Sequence, residues 1–339
     1  MKSMDSPAII NHLDCLDGWR GLAIVLLLVG HFFPVPGINF GSVGVNLFFS
    51  LSGYLMGQLL FVKKIPISVF YKRRISRIIP AHVFFILSIS IFAVVTGRRV
   101  NWSEIYTALF FVNNYFPGEL GNTVMPFGHI WSLSVEEHSY ILLSLVAIAS
   151  RNKWLNAEWA IIGLTLVFSA AGFWNFYNYS GVELYKRDLH SEVMAFGIFS
   201  SVSFLLLFFG IKIQKPAASY FVFILGAGIL LHWWSVPSPL GRTVGVGLFA
   251  LAVNLLPQAP DAIKQVFSLK PLKMMGLWSF SIYLWQQPFY LYVHKNGMSG
   301  LLAVSLAISC GIASFYILEN PARLYINRVW GRSDAIKRS

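Results

Sequence analysis

Long apolar segments occupy most of this 339-residue chain and decide what it can fold into. Within a lipid bilayer every backbone polar group must bond inside the protein, so spanning pieces are helices of about 20 residues or closed barrels. The segments here are too long and continuous for barrel strands. They predict an all-α, polytopic membrane bundle of about ten transmembrane helices, at 19–36, 43–62, 76–96, 129–149, 157–175, 190–210, 217–234, 241–256, 276–293 and 299–318.

The supply of charged residues excludes a soluble domain. Only 12% of the residues are charged, against about 25% in ordinary globular chains. The 29 Phe, 14 Tyr and 11 Trp residues also exclude a disordered chain. A net charge of +12 could attract nucleic acid, but in a membrane protein it more often reports basic cytoplasmic loops. We therefore expect no nucleic-acid partner.

The distribution of positive charge predicts the orientation. The first apolar run begins near Trp19 and lacks a small-residue cleavage site, so it is interpreted as a retained helix. No linker or repeat divides the chain, and 1–339 is predicted to be one membrane domain with cytoplasmic termini at 1–18 and 319–339. All but six of the 26 Lys and Arg residues then lie on the cytoplasmic side. The six are Arg98, Arg99, Lys186, Arg187, Arg242 and Lys295.

Of the few ionisable side chains inside predicted spans, where a charge is costly unless paired or hydrated, two stand out because they lie at similar depth. His31 follows Arg20 by 11 residues, which places it about 16 Å above the cytoplasmic entry. Glu136, in WSLSVEEHSY, lies about 10 Å below the opposite boundary, at nearly the same depth. A neutral imidazole accepts a proton from a hydroxyl, and a carboxylate orients the ring. The pattern predicts a catalytic His31–Glu136 pair; the alternative is a core histidine bonded to a backbone carbonyl.

Three other polar residues, Glu137, His190 and Glu192, are weaker candidates for binding an acceptor or lining a pore. Glu137 points about 100° away from Glu136 around the helix, so both cannot serve the same face. One of them is then a structural partner. His190 and Glu192 begin the sixth predicted helix beside a polar loop, which is more typical of a solvated rim.

The densest positive charge is the run SVFYKRRISRIIPAH before the third span. Arg73 and Arg77 share one helical face, and Arg74 neighbours Arg77. Arginines at this spacing suit bidentate phosphate recognition. Arg20 adds a cation at the same level, with Asp17 positioned to hold it at i,i+3. Although such a run more commonly anchors to anionic lipid, these details favour a phosphate-bearing donor below a deeper reaction centre.

Small and polar residues in two other predicted helices give weaker evidence about function. Gly53 and Gly57 have the spacing that permits close helix packing. Ser52 is a candidate pore-lining hydroxyl, although hydroxyls in membrane helices usually bond their own backbone. Gln286 either bonds an acceptor or fills the gap that Pro288 opens in the helix ladder.

Six motifs, in order and across almost the full length, resemble the membrane-bound acyltransferase family 3. They are LDGWRGLAIVLLLVGHFFP, GVNLFFSLSGYLMG, FYKRRISRIIPAH, WSLSVEEHSYILL, FSIYLWQQP and LENPARLYINR. The resemblance implies about ten transmembrane helices, an acyl-CoA donor taken from the cytoplasm, and an acceptor hydroxyl that is commonly on a lipid-linked or exported saccharide.

The same resemblance implies roles for residues that match the family's motifs. His31 matches the first-helix histidine expected to be essential for acyl transfer. Arg74 and Arg77 match an Arg-x-x-Arg pair implicated in donor recognition. Glu136 matches the first acidic residue after WSLSV, and Arg20 matches the arginine of the LDG-x-RG opening.

The sequence departs from the family at two ionisable positions. Asn46 stands where the family often has Asp, and Gln286 where it often has His after YLW. Neither missing group can be essential here. No hydrolase-like domain of the kind that some relatives append is expected after the tenth helix.

Together these features predict an acetyl-CoA-dependent O-acetyltransferase of the bacterial inner membrane. Arg20, Arg73, Arg74 and Arg77 would hold the CoA phosphates, and His31 would act as general base or transient acyl carrier. The acceptor would be a surface polysaccharide or lipid-linked glycan, with a macrolide or other small molecule as the alternative. No bound cofactor or metal is predicted, because the eight histidines show no ligand spacing of the HExxH or His/Cys kind.

Two other classes of function remain open at this point. In a proton-coupled secondary transporter, His31 and Glu136 would relay protons beside an anion-binding arginine cluster. Such folds frequently contain inverted repeats, and no matched halves occur here. In a non-catalytic membrane assembly protein, His31 would be dispensable.

Overall fold

The structure, a computed structural model, describes residues 14–116, 124–211 and 217–336. Within these ranges the regular elements are helices, apart from one isolated antiparallel bridge between Ile38 and Trp233. The all-α prediction is confirmed for the part of the chain that the structure describes.

Sixteen α-helices follow one another along the described residues. They are α1 (Asp14–Phe32), α2 (Phe40–Gly57), α3 (Ile67–Val95), α4 (Trp102–Leu109), α5 (Trp131–Arg151), α6 (Ala157–Asn178), α7 (Gly181–Asp188), α8 (Ser191–Met194), α9 (Phe196–Phe208), α10 (Ala218–Leu230), α11 (Ser238–Leu240), α12 (Val246–Leu255), α13 (Asp261–Phe267), α14 (Lys270–Asn296), α15 (Gly300–Ser314) and α16 (Asn320–Ile336). Three π-helical turns extend α2, precede α12 and join α15 to α16; they are Gln58–Val62, Gly241–Gly245 and Phe315–Glu319.

Several helical stretches are long and apolar enough to cross a membrane. Among the described residues there are seven: Asp14–Phe32, Phe40–Val62, Ile67–Val95, Ala157–Asn178, Ser191–Phe208, Ser238–Gln258 and Gly300–Trp330. The other three predicted spans are also helical, but α10 has only 13 residues, and α5 and α14 carry glutamates or glutamines in their apolar runs. A multi-pass helical bundle is therefore supported, while the count of ten and the cytoplasmic termini remain predictions.

The ends of the chain differ from the sequence-based boundaries. The first helix begins at Asp14 and ends at Phe32, rather than spanning 19–36. Of the segment 319–339, predicted as a tail, Asn320–Ile336 form α16, which packs against α3. Residues 1–13 and 337–339 of the predicted cytoplasmic ends lie outside the described residues.

Helix α1 packs against α14 through a backbone approach that only glycine permits. A Cβ added to Gly21 would overlap the carbonyl oxygen of Leu272, and one added to Gly276 would overlap that of Asp17. Both helices begin at the same end of the bundle and run in the same direction, which aligns their polar side chains level by level.

The predicted small-residue packing of α2 is confirmed, and its partner is α9. A Cβ on Gly53 would overlap the carbonyl oxygen of Ile198, and one on Gly57 would lie 2.6 Å from a methyl carbon of Leu205. This contact fixes one side of α2, while another side borders α1.

We expect Gly276→Ala to destabilise the fold, because its methyl group has no space beside Asp17. Overpacking of this kind costs roughly 1–3 kcal/mol of unfolding free energy. Gly247→Ala in α12 is the matched control, since a Cβ there meets nothing within 4 Å, and it should be neutral or slightly stabilising. Thermal unfolding of the purified protein in detergent measures both; equal melting temperatures would contradict the packing argument.

Candidate active site

A cleft lies among α1, α2, α3, α5 and α14, in the half of the bundle where α1 and α3 begin. Its empty volume is about 760 Å³, open mouth included. Apolar side chains of α2 form much of the wall. The polar lining consists of Arg20, Ser52, Arg74, Arg77, Ser132, Glu136, Ser279 and Tyr283. Five of the predicted site residues therefore meet in one cavity.

Arg74 is the charged centre of the cleft. Its guanidinium lies 2.9 Å from a carboxylate oxygen of Glu137 and 3.6 Å from one of Glu136. It also lies over the ring of Tyr140, 3.8 Å from the ring centroid. Arg74 reaches both glutamates from α3, but only Glu136 lines the cleft, in agreement with the 100° between the two side chains around α5.

Glu136 is held by hydrogen bonds on both carboxylate oxygens. Ser52 Oγ donates to Oε1 at 2.9 Å, and the hydroxyl of Tyr140 donates to Oε2 at 2.8 Å. Tyr140 follows Glu136 by four residues, so the helix itself presents both groups on one face of α5. Ser52 bonds a carboxylate in the cleft rather than only its own backbone, and α2 is thereby tied to α5.

Arg20 and Arg77 supply the positive charge that the cleft does not fully neutralise. Arg20 pairs with Asp17 at 2.7 Å, which confirms the predicted i,i+3 contact. The largest electrostatic interaction of Arg77 is repulsion from Arg20, and a smaller attraction comes from Glu319. Glu319 is only 2% exposed and accepts a hydrogen bond from Ser281 Oγ at 2.6 Å. Two guanidinium groups facing one cavity are suited to bind an anion.

Arg73 does not share this cleft. Its side chain is exposed on α3, and it is not part of the cavity lining. The prediction that Arg73 joins the other arginines is corrected, because the helical rotation that points Arg74 and Arg77 inward points Arg73, the residue before Arg74, outward.

His31 lies at a second polar site. Its Nδ1 is 2.9 Å from Gln286 Oε1, and the Gln286 amide nitrogen donates to Gln287 Oε1 at 3.2 Å. With its carbonyl oxygen facing the imidazole, Gln286 accepts the Nδ1 proton and leaves the Nε2 lone pair free. The ring also lies 4.8 Å from that of Tyr290. Gln286 is therefore a positioning partner for His31.

The two sites are separated along the bundle. A Cβ on Gly41 would lie 3.2 Å from His31 Nε2, whereas Ser52, on the same helix, bonds Glu136. Gly41 and Ser52 are 11 residues apart in α2, which corresponds to about 16 Å. The predicted His31–Glu136 pair is therefore wrong.

The error has a simple geometric cause. The prediction takes Arg20 as the membrane entry, whereas α1 begins at Asp14 and has His31 one residue before its last. His31 consequently lies at the far end of the helix, beyond the level of Glu136.

His190 and Glu192 lie close together outside the cleft, with side chains that are 21% and 50% exposed. His190 Nδ1 lies 3.2 Å from Glu192 Oε1, and the hydroxyl of Tyr115 donates to Glu192 Oε2 at 2.9 Å. Neither residue lines the cleft. Among the described residues, no group of three or more His, Cys, Asp or Glu side chains could hold a metal ion.

Sequence analysis missed several polar residues between the sites. The hydroxyl of Tyr283 donates to the His129 carbonyl at 2.6 Å and lies 2.5 Å from Ser132 Oγ. His129 is 5% exposed, and its ring nitrogens have no hydrogen-bond partner within the described residues. Two further missed residues had a signal in the sequence: Tyr140 follows Glu136 by one helical turn, and Glu319 ends an apolar segment.

The fold and the site define a multi-pass helical membrane protein with a charged internal cleft and a separate, partly buried histidine site. The chain belongs to the acyltransferase 3 family, whose model, described as an acyltransferase domain, matches residues 13–319.

Two relatives illustrate the family. The O-acetyltransferase OatA of Staphylococcus aureus (strain NCTC 8325 / PS 47) is 25% identical over 366 residues, covering 95% of this chain and 58% of OatA. BcsY of Komagataeibacter xylinus, a membrane-bound transacylase by its name, is 27% identical over 347 residues, covering 94% of this chain and 85% of BcsY. The chain thus spans little more than half of the length of OatA. No solved structure matches the chain.

We expect Arg74→Met to destabilise the protein strongly, because it leaves Glu136 and Glu137 close together without their shared cation. Removing one partner of a buried ion pair costs about 3 kcal/mol or more. Arg187→Met, which breaks an exposed pair with Glu183, is the control and should cost less than about 1 kcal/mol. Unfolding in detergent compares the two; adding Glu137→Gln to Arg74→Met should recover part of the loss.

Proposed function

We propose that this chain is an integral membrane O-acyltransferase that moves an acetyl group from acetyl-CoA to a hydroxyl of a saccharide. The observation that carries the proposal is the pairing of an arginine-lined cleft with a histidine site about 16 Å further along the same bundle. Acyl-CoA has the matching form, with phosphates at one end, a long flexible arm and the reactive thioester at the other end.

The arginine cleft is the donor end of this proposal. Arg20 and Arg77 hold the CoA phosphates by charge-assisted hydrogen bonds. Arg74, compensated by Glu136 and Glu137, fixes the wall rather than supplying free charge. Glu136 therefore acts at the donor end, as a positioning residue.

The histidine site is where acyl transfer takes place. His31 Nε2 takes the proton of the acceptor hydroxyl while the hydroxyl oxygen attacks the thioester carbonyl carbon. The C–S bond then breaks, CoA leaves as the thiolate, and the imidazolium returns the proton to sulfur. The products are the ester and free CoA. The bond from Nδ1 to Gln286 keeps the ring in the tautomer that this step needs.

A transient acyl-histidine is the competing chemical route. General-base catalysis needs one fewer covalent intermediate and is the route that we propose. Incubation with acetyl-CoA and no acceptor tests the choice, because an acetylated His31 trapped under these conditions would overturn it.

The family and its relatives support a proposal for the acceptor. The name of OatA describes an O-acetyltransferase, which supports a hydroxyl acceptor, and we propose a surface polysaccharide or lipid-linked glycan. In the proposed topology ten helices cross the bacterial inner membrane with both termini in the cytoplasm. CoA then enters from the cytoplasm, and His31 lies toward the outer leaflet.

His31→Ala should abolish acyl transfer. Loss of a general base reduces the rate roughly 100- to 10,000-fold. The assay supplies labelled acetyl-CoA to membranes and counts label in alkali-labile esters. His294→Ala, which removes an exposed histidine near the same end of the bundle, should retain activity. Equal labelling by wild type and His31→Ala would refute the role of His31, and no labelling by wild type with several acceptors would count against the enzyme.

Arg77→Gln should raise the KM for acetyl-CoA roughly tenfold with little change in kcat, because it removes a contact made to substrate and transition state alike. Arg73→Gln removes the same charge from the exposed side of α3 and should leave KM unchanged. Initial rates at varied acetyl-CoA concentration separate the two constants. An equal rise in KM in both variants would indicate that Arg73 also contacts the donor.

A further inference from the structure

A second cavity lies at the opposite end of the bundle from the arginine cleft. Its empty volume is about 740 Å³, and it lies between the last turns of α3 and the last turns of α14. Apolar side chains such as Ile89, Met125 and Leu291 line much of it. Its charged lining consists of Arg98, Arg99 and Lys295.

Three cations gathered around one cavity need a counter-charge. Elsewhere at this end of the bundle, Arg187 pairs with Glu183 and Arg242 pairs with Asp188. At the cavity, by contrast, no carboxylate among the described residues forms part of the lining.

The described contacts of the cavity cations are neutral. Arg98 donates to the hydroxyl of Tyr292 at 2.6 Å and lies 5.3 Å from the ring centroid of Phe92. The carboxylate of Glu104 reaches two lining residues, but it is occupied by the backbone N–H groups of Val124 and Met125. The described lining of the cavity therefore carries three positive charges and no negative one, which favours an anion.

The surroundings of the cavity indicate what kind of anion fits. Phe92 and Val95, on the last turns of α3, are 51% and 79% exposed, and on a membrane helix such residues face lipid. A site with apolar walls, a lipid-facing edge and cations at the water interface matches an amphiphile with an anionic headgroup.

We propose that this cavity binds the phosphate headgroup of a membrane lipid, with Arg99 and Lys295 as its principal charged contacts. Two sources share this chemistry: an anionic phospholipid and the lipid phosphate that carries a glycan. The second source rests on the proposed function, since a lipid-linked glycan is then the acceptor.

The position of the cavity relative to His31 gives this second source a mechanistic meaning. Pro288 and Leu291 of α14 line the cavity, while Gln286 and Tyr290 of the same helix contact His31. The cavity and the histidine site therefore lie at one level of the bundle, on different faces of α14. A lipid carrier held there would bring its glycan to the end of the bundle where acyl transfer is proposed.

The test measures binding to the full-length protein in detergent, with excess CoA present so that the arginine cleft is occupied. The probes are dioctanoyl phosphatidylglycerol, its zwitterionic phosphatidylcholine counterpart and farnesyl pyrophosphate. The variant is Arg99→Gln with Lys295→Gln. The control, Lys186→Gln with Arg187→Gln, removes the same charge from α7.

We expect the Arg99/Lys295 variant to weaken binding of an anionic probe roughly tenfold, with phosphatidylcholine and the control variant unaffected. Higher ionic strength should reduce the difference, because these cations are exposed. If the Arg99/Lys295 variant binds both anionic probes more weakly, the result supports a phospholipid occupant. If it binds only farnesyl pyrophosphate more weakly, the result supports a glycan carrier. Equal affinities for the anionic and zwitterionic lipids, or equal losses in the two double variants, would overturn the proposal. None of these measurements requires acyl transfer, so they can confirm or refute lipid binding even if the proposed acyltransferase activity is absent.

Discussion

The close approach of α1 to α14 is the contact on which both polar sites depend. Gly21 and Gly276 remove the side chains that would otherwise separate the two backbones. Because the helices run in the same direction, Arg20 faces the cleft near their first turns, and His31 meets Gln286 near the end of α1. Lipid provides no hydrophobic drive for helices to associate, so packing contacts of this kind must supply it.

The charged side chains of the cleft compensate one another unequally. Arg74 forms ion pairs with both Glu136 and Glu137, and its guanidinium lies over the ring of Tyr140. One cation therefore compensates two carboxylates. Removing that compensation would leave charge in a medium of low dielectric constant, where it is costly. Arg20 and Arg77 are left with less compensation, and that imbalance is what makes the cleft suitable for an anionic ligand.

Motif and composition predicted much of this architecture. The helical bundle, the Arg20–Asp17 pair, the packing of Gly53 and Gly57, and the inward direction of Arg74 and Arg77 all depend on local spacing, which a helix converts directly into geometry. The His31–Glu136 pair and the inward direction of Arg73 depended on helix ends and on rotation about the axis. An error of five residues in where α1 begins moves a side chain by about 7 Å along the helix.

By itself, the sequence determined that this chain is an apolar helical bundle with arginines near the start of its third helix and a histidine within its first. Those properties follow from residue type and from the fixed rise and rotation of a helix. Only the tertiary structure decided that Gln286 is the partner of His31, 255 positions away, and that Arg74 lies between two adjacent glutamates. Contacts between distant segments depend on how helices tilt, slide and rotate against one another, and no local spacing encodes these movements.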